Sequence, residues 1–124
     1  MGGVWKFIGI VLVGLDDELE GSPQISSYEG VPAEAKVISI FHSPELINSI
    51  KSRTNLAFAG HSHGGQISIP LVGSLWLPNG TGNYDQGRFE KGTSKMYVSR
   101  GIGTSILPIR VNCSPELAII GISY

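Results

Sequence analysis

Apolar residues along this chain come in short blocks divided by turn-forming and acidic residues. The run FIGIVLVGL, Phe7 to Leu15, is rich in β-branched residues and is ended by Asp16, Asp17 and Glu18. Its unbroken apolar character predicts a central strand buried on both faces. Ala35 to Phe41 (AKVISIF) repeats the pattern and places His42 where the strand ends. Ser43 and Pro44 then read as the N-cap and first residue of a helix. Glu45 sits in its first turn, Leu46, Ile47 and Ile50 give it an apolar face, and Lys51 and Arg53 close it. Asn55 to Ala59 (NLAFA) predicts a third strand running directly into Gly60, His61, Ser62, His63, Gly64 and Gly65. Beyond Gln66 the texture changes to short β-like pieces, QISIP, KMYVS, ILPIRV and ELAIIGIS, which predict antiparallel or edge strands joined by turns. Pro78 to Gly92, rich in Gly, Asn and Thr with Tyr84 and Phe89 embedded, predicts a long functional or mobile loop.

Length and composition narrow this picture. A chain of 124 residues holds one domain, 1–124, with a core of its own, and is too short for two ordinary ones. The formal charge of -1 and scattered Lys and Arg give no footprint for nucleic acid or anionic membrane. Cys113 is the single cysteine, so neither an internal disulfide nor a structural Cys site for zinc can form. The apolar run from Phe7 to Leu15 is about half the ~20 residues a spanning helix needs, so no transmembrane segment is expected. Lys6 precedes it in the manner of a signal peptide, but no small-residue cleavage site follows before the acidic cluster. The compartment is left open, with a cytoplasmic or membrane-peripheral place expected ahead of secretion.

The three histidines, His42, His61 and His63, all fall at the C-terminal ends of expected strands, where open α/β sheets place their ligands. Neutral imidazole is a common ligand for zinc, manganese and iron. A lone histidine in such a place is more often a polar turn residue. Two histidines separated by one residue in extended chain point to the same side and can address one metal or two neighbouring ones. Glycines at 60, 64 and 65 permit a sharp turn and close approach of a phosphate, with Gly64 and Gly65 as candidate substrate-binding positions. Arg100 and Arg110 are candidates for phosphate binding or for surface ion pairs, and Gly101 and Gly103 for a tight turn beside the site. Trp76, Tyr84 and Phe89 read either as packing or as an apolar wall for a lipid-like or glycosidic substrate.

GHSHGGQISIP closely resembles the GHTHGGQ signature of one branch of the calcineurin-like metallophosphoesterases. The likeness extends to ISIFHSPELI, to VGLDD, and to YVSRGIGTSILPIRVNCSPELAIIGI, and so covers most of the chain from about Phe7 onward. The resemblance implies an α/β (α+β) fold. The chain would be the C-terminal half of a four-layer α/β/β/α sandwich, mainly one β-sheet with a helix and a long loop. It implies two divalent metal ions, Mn, Zn or Fe, with His42 and His61 on one and His63 on the other. In the family the metals activate a bridging water or hydroxide and clamp the phosphate of a phosphomonoester, phosphodiester or pyrophosphate. The family's DxH, GDxxD and GNHD-type motifs, including the histidine thought to assist the leaving group, do not occur here. Asp16, Asp17 and Glu45 are nearby carboxylates that could stand in, although Asp16 and Asp17 also read as solvent-facing residues at a strand end. The expectation is a phosphoesterase incomplete in this chain, with an N-terminal half or a second copy covering the exposed sheet face. The alternatives are an inactive module that pairs with another subunit, or a single-zinc hydrolase using the three histidines.

Overall fold

A computed structural model describes residues 2–7 and 9–123. Its main feature is a six-stranded mixed sheet in the order β1-β2-β3-β4-β8-β7, and a separate two-stranded ribbon pairs β5 with β6. The strands are β1 Gly3–Phe7, β2 Ile10–Gly14, β3 Lys36–Ile40, β4 Leu56–Ala59, β5 Ser68–Ile69, β6 Gly73–Ser74, β7 Gly87–Lys91 and β8 Ser94–Val98. Strands β2, β3, β4 and β8 run parallel, and antiparallel β1 and β7 form the two edges. The sheet-dominated α/β architecture is as expected, with the second, third and fourth strands adjacent and central.

The first apolar run is not one strand. Phe7 pairs with Ile10 across an antiparallel reversal, and Gly9 takes φ 71° there. That left-handed conformation is cheap for glycine and costly for a β-branched residue, so the run folds back on itself. Ile8, inside the expected strand, lies outside the described residues. Burial on both faces is not found either. Side chains alternate, so Val11, Val13, Val37, Ser39, Ala57, Ala59, Met96 and Val98 share the covered face. Leu12, Ile38, Ile40, Leu56 and Phe58 fall on the other face, where Ile40 is 46% exposed.

The covered face packs under Leu46, Ile47, Ile50 and Tyr28. The expected helix over Ser43 to Arg53 is shorter: a 3-10 turn at Pro44–Leu46 leads into α1, Ile47–Ile50. Ser43 occupies the N-cap position but makes no cap hydrogen bond, because its hydroxyl is donated to Asp17 Oδ1 at 2.7 Å. The apolar face is as read, with Ile47 and Ile50 fully buried. Polar groups under the sheet are paired with one another. Tyr28 Oη lies 2.6 Å from Ser39 Oγ, which donates to Thr54 Oγ1 at 2.8 Å, and Thr54 donates to the Leu56 carbonyl at 2.9 Å. Burial pushes the Tyr28 phenol above its ordinary pKa.

Two further expectations change. Residues Gly87–Lys91 of the anticipated long loop form β7, because they pair with Ser94–Val98. Tyr84 packs edge-to-face on Phe89, centroids 5.1 Å apart, and both lie against the core, so these two are packing residues. Conversely, ILPIRV and ELAIIGIS form no strand among the described residues, apart from an isolated bridge between Ile67 and Val111. A strand is held by its neighbour's backbone, and among the described residues none runs beside 116–123. Among the described residues no helix is long and apolar enough to cross a membrane.

Candidate metal and phosphate site

Parallel register brings the candidate residues together. Ile40 of β3 lies opposite Phe58 of β4, so two residues further on His42 stands beside Gly60, whose N–H donates to the His42 carbonyl at 3.2 Å. His61 follows at once, and the rings of His42 and His61 sit with centroids 4.5 Å apart, inclined by 56°. On the other side Gly14 of β2 pairs with Ile40, which places Asp17 against Ser43. Asp17, His42 and His61 thus leave the C-terminal ends of three adjacent parallel strands, the crevice such sheets use for ligands. Burial pushes the Asp17 carboxyl up. The Ser43 hydroxyl, the Leu19 N–H and the charges of His42 and His61 outweigh it and leave Asp17 below the usual carboxylate range. Asp17 is therefore partly buried and partnered rather than solvent-facing. Asp16 accepts from the Asp17 and Ser22 N–H groups at 3.0 and 3.4 Å.

The loop after β4 is not extended. His61 and His63 take φ 64° and 49°, with Ser62 between them in the right-handed helical region. The premise that alternate residues of an extended strand share a side does not apply here. The Ser62 hydroxyl accepts from the Gly64 N–H at 3.1 Å and fixes the turn from below. His61 Nε2 donates to the Asn79 carbonyl at 2.7 Å, which in the neutral ring leaves Nδ1 as the free lone pair. His63 Nδ1 faces the Gly103 carbonyl at a long 3.4 Å, which orients the ring and leaves Nε2 free.

Gly64 and Gly65 are closely packed by their own chain. A Cβ on Gly64, at φ 61°, would come within 2.6 Å of Cys113 Sγ and 2.8 Å of Arg100 Cγ, and one on Gly65 within 2.4 Å of Ser74 Cβ. Arg100 pairs with Glu116, Nε to Oε2 3.5 Å, the ion pair its place beside a strand suggested. Glu116 also accepts from the Tyr97 hydroxyl and from the Arg100 N–H at 3.0 Å. Its carboxyl is held below the ordinary value by Tyr97 first, then, against some opposing burial, by Arg100. Arg110 was undervalued by sequence. Its guanidinium donates to the carbonyls of His63 and Cys113 at 3.2 Å, of Arg100 at 2.7 Å, of Gly101 at 3.3 Å and, through Nε, of Gly103 at 3.1 Å. It ties the His63 loop to the turn that His63 faces. Only the Arg after an apolar IxPI block marked it in sequence, which is no signal for such a role.

These donors fit part of a metal centre. His42 and His61 offer two imidazoles at one edge with Asp17 beside them, yet among the described residues no group of three or more His, Cys, Asp or Glu is placed to hold an ion.

No protein-family model matches the chain, and no solved structure matches it. Two curated proteins do. The chain is 32% identical over 115 residues to the uncharacterized metallophosphoesterase YkuE of Bacillus subtilis, a match spanning 89% of this chain and 39% of that protein. It is 31% identical over 112 residues to the phosphodiesterase YaeI of Escherichia coli, spanning 88% of this chain and 40% of that one. The chain therefore spans about two fifths of the length of the curated relatives it matches.

Proposed function

The chain belongs to the calcineurin-like metallophosphoesterase superfamily, and from that premise we propose that it supplies the histidine-bearing edge of a phosphoesterase site. The rest of that site would come from sequence outside these residues. The observation that carries the reading is the pairing of His42 and His61 across the ends of two neighbouring parallel strands, with His63 on the same turn. His42 and His61 would hold one divalent metal and His63 a second. When bound, such ions activate water and neutralise phosphate charge in hydrolysis of a phosphate ester. This chain's own residues orient the ligands: Asn79 and Gly103 set the tautomers of His61 and His63, Ser43 fixes Asp17 beside the pair, and Arg110 holds the His63 turn.

Two groups of facts support an incomplete rather than a self-sufficient site. No three-donor cluster is present among the described residues, and the match covers two fifths of the relatives. The test is complementation. Adding the separately produced remainder of a relative should give manganese- or zinc-dependent hydrolysis of an aryl phosphate diester, and His61→Ala should remove it. Comparable hydrolysis by the chain alone would refute incompleteness and support a one-zinc site.

A further inference from the structure

The end of β2 brings a carboxylate to the histidine edge. β2 runs parallel to β3 with Gly14 opposite Ile40, so Asp17 leaves the sheet level with Ser43, the residue after His42. Ser43 is buried and donates its hydroxyl to Asp17 Oδ1 at 2.7 Å. That contact is itself backed by the chain. A Cβ on Gly80, at φ 86°, would stand 3.0 Å from Ser43 Oγ, and the Gly80 carbonyl accepts from the Glu45 N–H at 2.8 Å. The neighbouring Asn79 carbonyl accepts from His61 Nε2 at 2.7 Å. Asp17, Ser43, the turn at 79–80 and His61 therefore form one continuous run of contacts, and the carboxylate cannot swing away without breaking it.

No basic side chain neutralises that carboxylate. Residues 7–35, 37–50 and 54–87, the stretches that carry Asp17, His42 and His61, contain no Lys or Arg. Asp17 has no ion pair among the described residues. Glu18 and Glu45 add charge of the same sign: the Glu18 carboxyl is pushed up first by burial, then by Glu45 and Asp17. A fixed carboxylate beside neutral imidazoles favours a cation there. Among the described residues Asp17 does not complete a three-donor group with His42 and His61, which puts it behind the ligands rather than among them.

We propose that Asp17 is a positioning residue for the His42–His61 edge: pinned by Ser43, its carboxylate stays outside the coordination shell and supplies the fixed charge that draws a divalent cation to the two imidazoles. This rests on the phosphoesterase reading for the metal itself and assigns a residue outside the histidine motifs. The same charge repels phosphate, so an anionic ester settles at the edge only once the cation is in place.

The probe is zinc alone, titrated into the full chain against a weak chromophoric chelator at low and at high salt. Asp17→Asn keeps an oxygen for the Ser43 hydroxyl and removes the charge. Zinc affinity should fall about tenfold at low salt, the usual cost of losing an outer-shell partner. Added salt should weaken the parent more than the variant and so narrow the gap, which a merely structural role would not do. Asp17→Glu restores the charge and should recover most of the loss. Ser43→Ala keeps the charge but frees the carboxylate; it should lower zinc affinity in the same direction, and it decides the question if a metal-free melt shows Asp17→Asn unfolded. Unchanged affinity in Asp17→Asn, or a deficit that ignores salt and is not recovered by glutamate, overturns the proposal and leaves Asp17 a structural partner of Ser43. A loss as large as that of His42→Ala overturns it too, and makes Asp17 a ligand. The parent reading fails separately: zinc affinity untouched by both His42→Ala and His61→Ala would reject the histidine edge as the metal's place, whatever Asp17 does.

Discussion

Replacing Arg110 by alanine tests the geometry of the His63 turn. The guanidinium serves five backbone carbonyls, those of His63, Arg100, Gly101, Gly103 and Cys113. Removing it leaves five acceptors to water or to nothing. The region is half-buried, so water can reach several of them, and the loss per bond sits near the low end of the usual range, about 0.5 kcal/mol each. The sum is roughly 2–3 kcal/mol, a drop of about 10 °C in melting temperature at this chain length. Urea denaturation followed by circular dichroism measures it. Arg110→Lys keeps the charge but cannot reach five acceptors in a fan, so it should recover less than half of the loss. Arg100→Ala is the internal comparison: its partly exposed pair with Glu116 should cost at most about 1 kcal/mol. If Arg110→Ala costs no more than Arg100→Ala, or if lysine restores full stability, Arg110 is an ordinary surface cation and the account of the turn is wrong.

Three further outcomes follow from packing and titration. Gly64→Ala forces a Cβ onto Cys113 Sγ and Arg100 at φ 61°, and should destabilise by about 2 kcal/mol or more by thermal melt; a neutral effect would mean the turn is looser than described. Ile47→Ala removes a fully buried side chain above the sheet and should cost about 2–5 kcal/mol in the same assay, whereas a loss under 1 would place α1 off the core. Glu116 has a folded pKa below its unfolded one, so its contribution is complete above the ordinary carboxylate pKa and is lost as pH falls through the lowered value. Glu116→Gln should therefore lose stability relative to the parent at pH 7 and converge with it in acid; a gap that widens on acidification contradicts the assignment.

Much of the sheet was legible because it rests on local pattern: β3 and β4 announced themselves as short β-branched runs, and each histidine followed a run's end. The hairpin at Gly9 was hidden inside a run that is apolar on both sides of the turn, where periodicity carries no mark of reversal. β7 was masked by a sequence rich in turn residues, and it exists because β8 offers an edge, a fact of tertiary pairing. The C-terminal apolar stretch shows the converse, since strong β propensity without a neighbouring strand leaves Leu117 and Ile119 exposed at 84% and 92%. At the site, sequence named the histidines but not what holds them. Asp17–Ser43, His61–Asn79 and Arg110–His63 join residues 18 to 47 positions apart, and no local spacing encodes such contacts.

The central claim is that His42 and His61 act on one metal. Zinc K-edge absorption of the zinc-loaded chain, at millimolar protein so that a weak site fills, reads this directly. The account predicts imidazole nitrogen scattering from two rings at about 2.0–2.1 Å, reduced by one ring in His42→Ala and again in His61→Ala. A spectrum with no imidazole contribution, or one unchanged by both substitutions, would contradict it.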